Sequence, residues 1–419
     1  MPDRGKKLLH LSAVDYGGAG HATLSLHRFF KENGFQSALV VKDKQSGSAG
    51  VLQYPDSRLH RALPKLARKM DKIRYRKIDF QDEYHFYNRH ETRTVVSAER
   101  ILKKVPYKPD VIFLHWVSGF VNARIAQELQ HLTGAAMYWL MIDNAPLTGG
   151  CHYPWQCEGY TAACSGCPAI GEVSAKIAAE KNMEFKKKFL PDGIRLITFS
   201  GTDEERAKKS SLFKNRDIIK MFGYVDETIY RPADNKRLIK EEWGIDPGKK
   251  VVFFGASDLR DKRKGFSLLA DALNGLQTEN TVLLMAGKNM ESHFTSDVNY
   301  VGFLQEQDLI KAYQAADLFV SPSLEDSGPL MVNQAIMCGT PVVAFKTGVA
   351  ADLVVTGETG YLAEHGCMED LRKGISMILN LDEQTHSEWC GNCRQTGLQK
   401  FSKEVTLKKF IEIMENDER

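Results

Sequence analysis

Short runs of apolar residues alternate with amphipathic stretches along most of this chain, and that alternation constrains its fold more than any other feature. In the first half the runs KKLLHLSAV, QSALVVK, DVIFLHWV, AAMYWLMID and IRLITFS are separated by helix-like stretches such as HATLSLHRFFKENG, ARIAQELQHLT and TDEERAKKSSLF. Strands alternating with helical crossovers form parallel sheets. Near residue 232 the pattern stops: YRPADNKRLIKEEWGIDPGKK is polar, holds two prolines and reads as a linker with a short helix. It then restarts with KVVFFGAS, FSLLADALNGL, TVLLMAG, QEQDLIKAYQAA, DLFVSPS, PLMVNQAIMCG and PVVAF. The expectation is two doubly wound α/β domains, 1–232 and 233–400, with residues 401–419 (containing EVTLKKFIEIMEND) as a closing helix.

A chain of 419 residues is too long for one ordinary core, which agrees with two domains. Its net charge of +3 is small and argues against a nucleic-acid-binding surface, so no nucleic-acid partner is expected. No run approaches ~20 apolar residues, so no membrane span is expected. The start MPDRGKKLLHLSAV is basic, but its apolar run is too short for a signal peptide and leads into Asp15 and a glycine turn. The expectation is a cytoplasmic protein, whose eight cysteines read as thiols or metal ligands rather than disulfides.

Three short segments carry candidate chemistry. Gly17, Gly18 and Gly20 stand between the first strand and first helix, where glycine lets a backbone approach a ligand. A plain tight turn is the alternative. In PSLEDSGPLMVNQAIMCGTPVVAF a strand ends at Glu325 and Asp326, and Ser327, Gly328, Pro329, Leu330 and Met331 open a helix. Helix-opening N–H groups suit a diphosphate. Asp326 and Gln334 are eight residues apart, close enough for one extended ligand to touch both. Simple helix capping by Asp326 is the alternative. In SDLRDKRKGFSLLADAL, Arg260, Lys262, Arg263 and Lys264 crowd a strand-to-helix loop, and such cations suit phosphate oxygens.

Together these segments resemble family 4 of the glycosyltransferases, which have the GT-B fold of two facing Rossmann-like domains. The similarity is strongest in RKGFSLLADAL, AYQAADLFVSPSLEDSGPLMVNQAIMCGTPVVAF and TGVAADLVVTGETGYLA. LTGGCHYPWQCEGYTAACSGCP is similar to bacterial members that build capsular, exopolysaccharide or colanic-acid-like chains. The resemblance implies an N-terminal acceptor domain, a C-terminal donor domain and a final helix crossing back. It implies a retaining transfer of sugar from a nucleotide diphosphate, of the UDP or GDP type, to a lipid-linked glycan. The family's Glu-x7-Glu motif becomes Asp326-x7-Gln334, with the first position near the donor sugar and the second at the ribose. Gln334 keeps an accepting carbonyl and lacks the charge. Lys264 matches the phosphate lysine, partnered by Arg263 or Arg260, and base contacts are expected around Gly287 and Phe303. Gly18 falls to the donor as well. Many relatives carry a histidine where Ile142 stands, and Asp143, next to it, is the candidate for its polar work, with a loop cap as the alternative. The cations and helix N–H groups, rather than an essential magnesium ion, would stabilise the leaving diphosphate, so no cofactor is expected for catalysis.

The insertion at 148–170 holds Cys151, His152, Cys157, Cys164 and Cys167. Its CSGC turn has the spacing that chelates one metal through two thiolates, and two more ligands from Cys151, Cys157 or His152 complete a structural zinc site. Free thiols and an iron–sulfur cluster are the other readings. Residues 58–77 hold nine Lys or Arg against Asp71 alone, with leucines at helical spacing. A basic amphipathic surface suits anionic lipid at the inner face of a membrane, and a solvated helix face is the alternative. The rival functions are a nucleotide-sugar epimerase on the same fold and a non-catalytic nucleotide-sugar-binding protein.

Overall fold

The computed structural model describes residues 5–48, 50–54, 79–89, 91–171, 176–276, 280–288, 297–328 and 330–415. Pro329 and the whole basic stretch 58–77, with its flanks, lie outside the described residues. Two compact units emerge. The first takes residues up to Thr198, Asp203–Lys220 and Ile413 onward, and the second takes Phe199–Thr202 and Met221–Glu412.

The first unit is built on a seven-stranded sheet, ordered β3-β2-β1-β4-β5-β6-β7. Its strands are β1 (Lys7–Val14), β2 (Gln36–Asp43), β3 (Val51–Gln53), β4 (Val111–Leu114), β5 (Ala136–Leu140), β6 (Arg195–Thr198) and β7 (Ile218–Lys220). Every pairing is parallel. Continuous apolar runs are what such strands need, because helices cover both faces of a parallel sheet. His10, Phe113 and Tyr138 are lateral neighbours across β1, β4 and β5.

The second unit repeats the plan with six parallel strands, ordered β10-β9-β8-β11-β12-β13. They are β8 (Lys250–Asp258), β9 (Thr281–Lys288), β10 (Asp297–Gly302), β11 (Leu318–Ser321), β12 (Val342–Phe345) and β13 (Gly360–Ala363). Successive side chains point to opposite faces, so the same strands feed two cores. Val251, Phe253, Leu284 and Phe319 enter one, and Val252, Phe254, Met285 and Val320 enter the other.

The boundary between the units falls at Lys220/Met221, ahead of residue 232. Val225 and Tyr230 explain the shift, since both are buried in the core of the second unit. The last helix, Lys403–Glu415, starts in the second unit and ends in the first. There Tyr138 donates its hydroxyl to the carbonyl of Ile413 at 3.1 Å, and Lys6 donates to that of Met414 at 2.6 Å. Among the described residues no helix is long and apolar enough to cross a membrane.

Candidate functional site

Each sheet has one point where the strand order reverses, between β1 and β4 and between β8 and β11. Open α/β sheets bind ligands outside the carboxyl ends of the strands at such points. In the second unit the loop after β8 holds Arg260 to Gly265, and the loop after β11 holds Pro322 to Gly328. The two loops touch. Gly265 has φ +64°, and a Cβ there would stand 1.9 Å from the carbonyl oxygen of Pro322, so only glycine fits.

This contact brings together three of the candidate residues. Lys264 donates to Oδ2 of Asp326. The Arg263 guanidinium donates to the carbonyl of Glu325 at 3.0 Å and to Asp261 at 2.6 Å, with Asp326 at 3.9 Å. Asp326 also accepts from the Ser327 N–H at 3.0 Å. Burial pushes its carboxyl up, but Lys264 and Arg263, with these hydrogen bonds, hold it below the ordinary carboxylate range. Arg263 is 5% exposed, whereas the Lys264 side chain keeps about a quarter of its surface. Arg260 turns away and grips Asp258 through two guanidinium nitrogens, at 3.2 and 3.0 Å. Of the two arginines in question, the structure groups Arg263 with Lys264.

The remaining candidates divide. Glu325 and Ser327 are buried beside this group, and Gly328 follows with φ +121°. Leu330 and Met331 open the helix Leu330–Met337. Gln334, 9% exposed, is engaged at both ends of its amide. Tyr313 donates to its carbonyl at 3.0 Å and its NH2 donates to Tyr230 at 3.0 Å. One carbonyl lone pair and one N–H are what remain for a ligand. Gly287 is required by the backbone, since a Cβ there would stand 2.5 Å from the carbonyl of Ala256. Phe303 is 44% exposed, with the Lys288 ammonium 5.3 Å from its ring centre.

In the first unit the strand ends carry a second polar group. Oδ2 of Asp143 lies 2.6 Å from Nδ1 of His152, and its Oδ1 accepts from the Ala145 N–H at 2.8 Å. Ser118 Oγ sits 3.1 Å from the other ring nitrogen, Nε2. These contacts bear on two expectations. Asp143 is 6% exposed, with both oxygens spent on the loop and on His152. His152 is held by Asp143, Ser118 and Trp116 and lines none of the cavity that the four cysteines surround. His115 pairs with His10 at 2.9 Å inside the core, so it is no substitute for the residue replaced by Ile142.

Two supports had no signal in the sequence. Lys186, fully buried, donates to the carbonyls of Ala145 at 2.6 Å and Thr148 at 2.9 Å, which fixes the loop after β5. Asp15, 1% exposed, accepts from the backbone N–H groups of Gln45 and Ser46 and so ties the β1 turn to the loop after β2. At that turn Gly20 packs against Asp15 backbone, while Gly18 has open space beside it.

The chain is similar in fold and in part of its sequence to known proteins. The chain is similar to the N-acetyl-alpha-D-glucosaminyl L-malate synthase of Bacillus anthracis, at 23% identity over 207 residues, 47% of this chain. It spans about half the length of that relative, 53%. Sucrose-phosphate synthase from Thermosynechococcus elongatus superposes with a TM-score of 0.66 at 15% identity, over 98% of this chain and 99% of that one. Anabaena HepE, solved in complex with UDP and glucose, gives 0.65 at 16% identity, again over 98% and 99%. The likeness shows the fold, two Rossmann-like parallel-sheet domains of the GT-B type. Residues 235–395, the segment that holds Lys264, Asp326 and Gln334, match the family model described as Glycosyl transferases group 1.

Proposed function

We propose that the chain is a retaining glycosyltransferase that moves a sugar from a UDP- or GDP-linked donor to a lipid-linked glycan in cell-surface polysaccharide synthesis. The observation that carries this reading is the convergence of Arg263, Lys264 and Asp326 at the strand-order reversal of the second unit. The group 1 match over 235–395 supports it, as does the UDP complex of the structural neighbour HepE.

The chemistry follows from charge. A departing nucleoside diphosphate carries negative charge, and pre-placed cations and helix N–H groups stabilise it without reorganising. Lys264 and Arg263 supply the cations, and the opening of the helix Leu330–Met337 supplies N–H groups. Lys264 has to exchange Asp326 for a phosphate oxygen, which frees the carboxylate to accept hydrogen bonds from the sugar hydroxyls. In the first unit Asp143 holds His152 and the loop after β5 in one arrangement, as a positioning residue on the acceptor side. The basic stretch 58–77 would bring the protein to an anionic membrane surface where a lipid-linked acceptor resides.

Thermal-shift titrations with UDP, GDP and ADP, beside Lys264→Ala, test the donor site. A nucleotide at about 100 times its dissociation constant adds roughly 2.7 kcal/mol to the folded state. The expected result is a shift with UDP or GDP that the variant loses. No shift with any nucleotide would overturn the donor assignment. Nucleotide binding without turnover on any sugar donor would establish a binding protein instead.

A further inference from the structure

We propose that Cys151, Cys157, Cys164 and Cys167 form a structural site for one zinc ion, an inference that stands independently of the transferase reading. All four belong to the loop between β5 and β6 and line one cavity of about 20 Å3. That is room for a single ion, since one water needs ~10–15 Å3, and it is too small for an iron–sulfur cube. Cys151, Cys164 and Cys167 are buried and Cys157 is half-buried, and all four are free thiols. A Cβ built on Gly159 would lie 3.4 Å from Sγ of Cys157 and 3.8 Å from Sγ of Cys164, so these two sulfurs share one small space.

Backbone donors are aimed at the sulfurs. The Gly149 N–H donates to Sγ of Cys164 at 3.3 Å, and the Gly159 N–H to Sγ of Cys157 at 3.4 Å. A third comes to Cys167 from Ala169. These contacts hold the sulfurs of the loop against fixed backbone. Four sulfur donors and no oxygen select a soft tetrahedral ion, and zinc is the common one. Among the described residues no three His, Cys, Asp or Glu side chains already stand around one ion position. The four cysteines line the cavity, and binding an ion would turn their side chains inward between staggered rotamers. Each thiol gives up its proton as the ion binds. The ion then ties down the loop in which Cys151 adjoins His152, the partner of Asp143.

The test is the metal content of the full-length protein, purified with neither chelator nor added metal, by plasma mass spectrometry with sulfide and thiol counts. The expected result is about one zinc per chain without iron or sulfide, reduced about tenfold or more in Cys164→Ser/Cys167→Ser. His152→Ala keeps its zinc. Because the double variant could lose zinc by unfolding, cobalt(II) is also exchanged into the unmodified protein. Intense visible bands of a tetrahedral cobalt–thiolate complex are expected. Metal-free protein with all eight thiols titratable overturns the proposal. So does iron with matching sulfide, a disulfide in the loop, or cobalt bound without thiolate bands.

Discussion

Lys264 and Asp326 constrain each other, and that pairing makes their separate roles measurable. Asp326→Asn removes the partner that holds Lys264, so nucleotide affinity should stay level or rise while turnover falls about tenfold or more. Calorimetric binding beside initial rates checks this, and a parallel loss of both would make Asp326 a structural cap. Gln334 has a different cost. Gln334→Leu leaves the buried hydroxyls of Tyr313 and Tyr230 each short of a partner, which should destabilise the protein by about 1–3 kcal/mol. Urea denaturation measures it. Asp143→Ala should cost a similar ~1–3 kcal/mol through the loss of its bonds to His152 and Ala145. Reduced turnover per folded molecule is expected as well, and unchanged turnover would leave Asp143 a loop cap. Residue types and positions around Lys264 were legible in the sequence, because a basic loop, an acidic strand end and a helix start are local features. The choice of Arg263 over Arg260 was not, since it depends on Asp258 capturing one guanidinium and Glu325 the other.

Among the elements, apolar runs identify the nine central strands and miss the four at the sheet edges, β3, β7, β10 and β13. Burial accounts for three of the four, since β13 is itself buried. Central strands are covered on both faces, whereas β3 and β7 are three residues long and β10 is largely half-exposed. The packing of β1, β4 and the helix Gly17–Glu32 produces something the sequence does not announce, a buried trio of His10, His27 and His115. Burial, then the neighbouring Lys31 and Arg28, lowers His27 to about 4. Burial and then His27 lower His115 to about 3, and His10 is lowered as well by burial, His115 and His27. Below pH 6.5 the unfolded chain binds protons that the folded trio refuses, so this stability is complete above about 6.5 and falls with pH down to about 3. The slope is roughly 1.4 kcal/mol per pH unit for each histidine. Urea midpoints should drop as pH falls below 6.5, and the drop should be smaller in His27→Gln.

For the whole molecule, the last helix links the fate of the C-terminus to the first unit. Ile413 and Met414 are 5% and 2% exposed, and their carbonyls accept from Tyr138 and Lys6. Deleting residues 413–419 should cost that unit roughly 3–6 kcal/mol from the two side chains, at ~1.5–3 kcal/mol each. Denaturation of the truncated protein, followed by a probe in the first unit, reads this directly. By itself the sequence determined two α/β domains of parallel sheet, a polar connection between them and the loops where ligand chemistry sits. Those follow from apolar periodicity, glycine and proline, which act over a few neighbouring residues. Only the tertiary structure decided that Lys264 meets Asp326 across 62 positions, that His10 meets His115 across 105, and that Asp143 takes His152 away from the cysteines. Contacts of that kind depend on which strand ends the sheet order sets side by side, and no local pattern of residues records them.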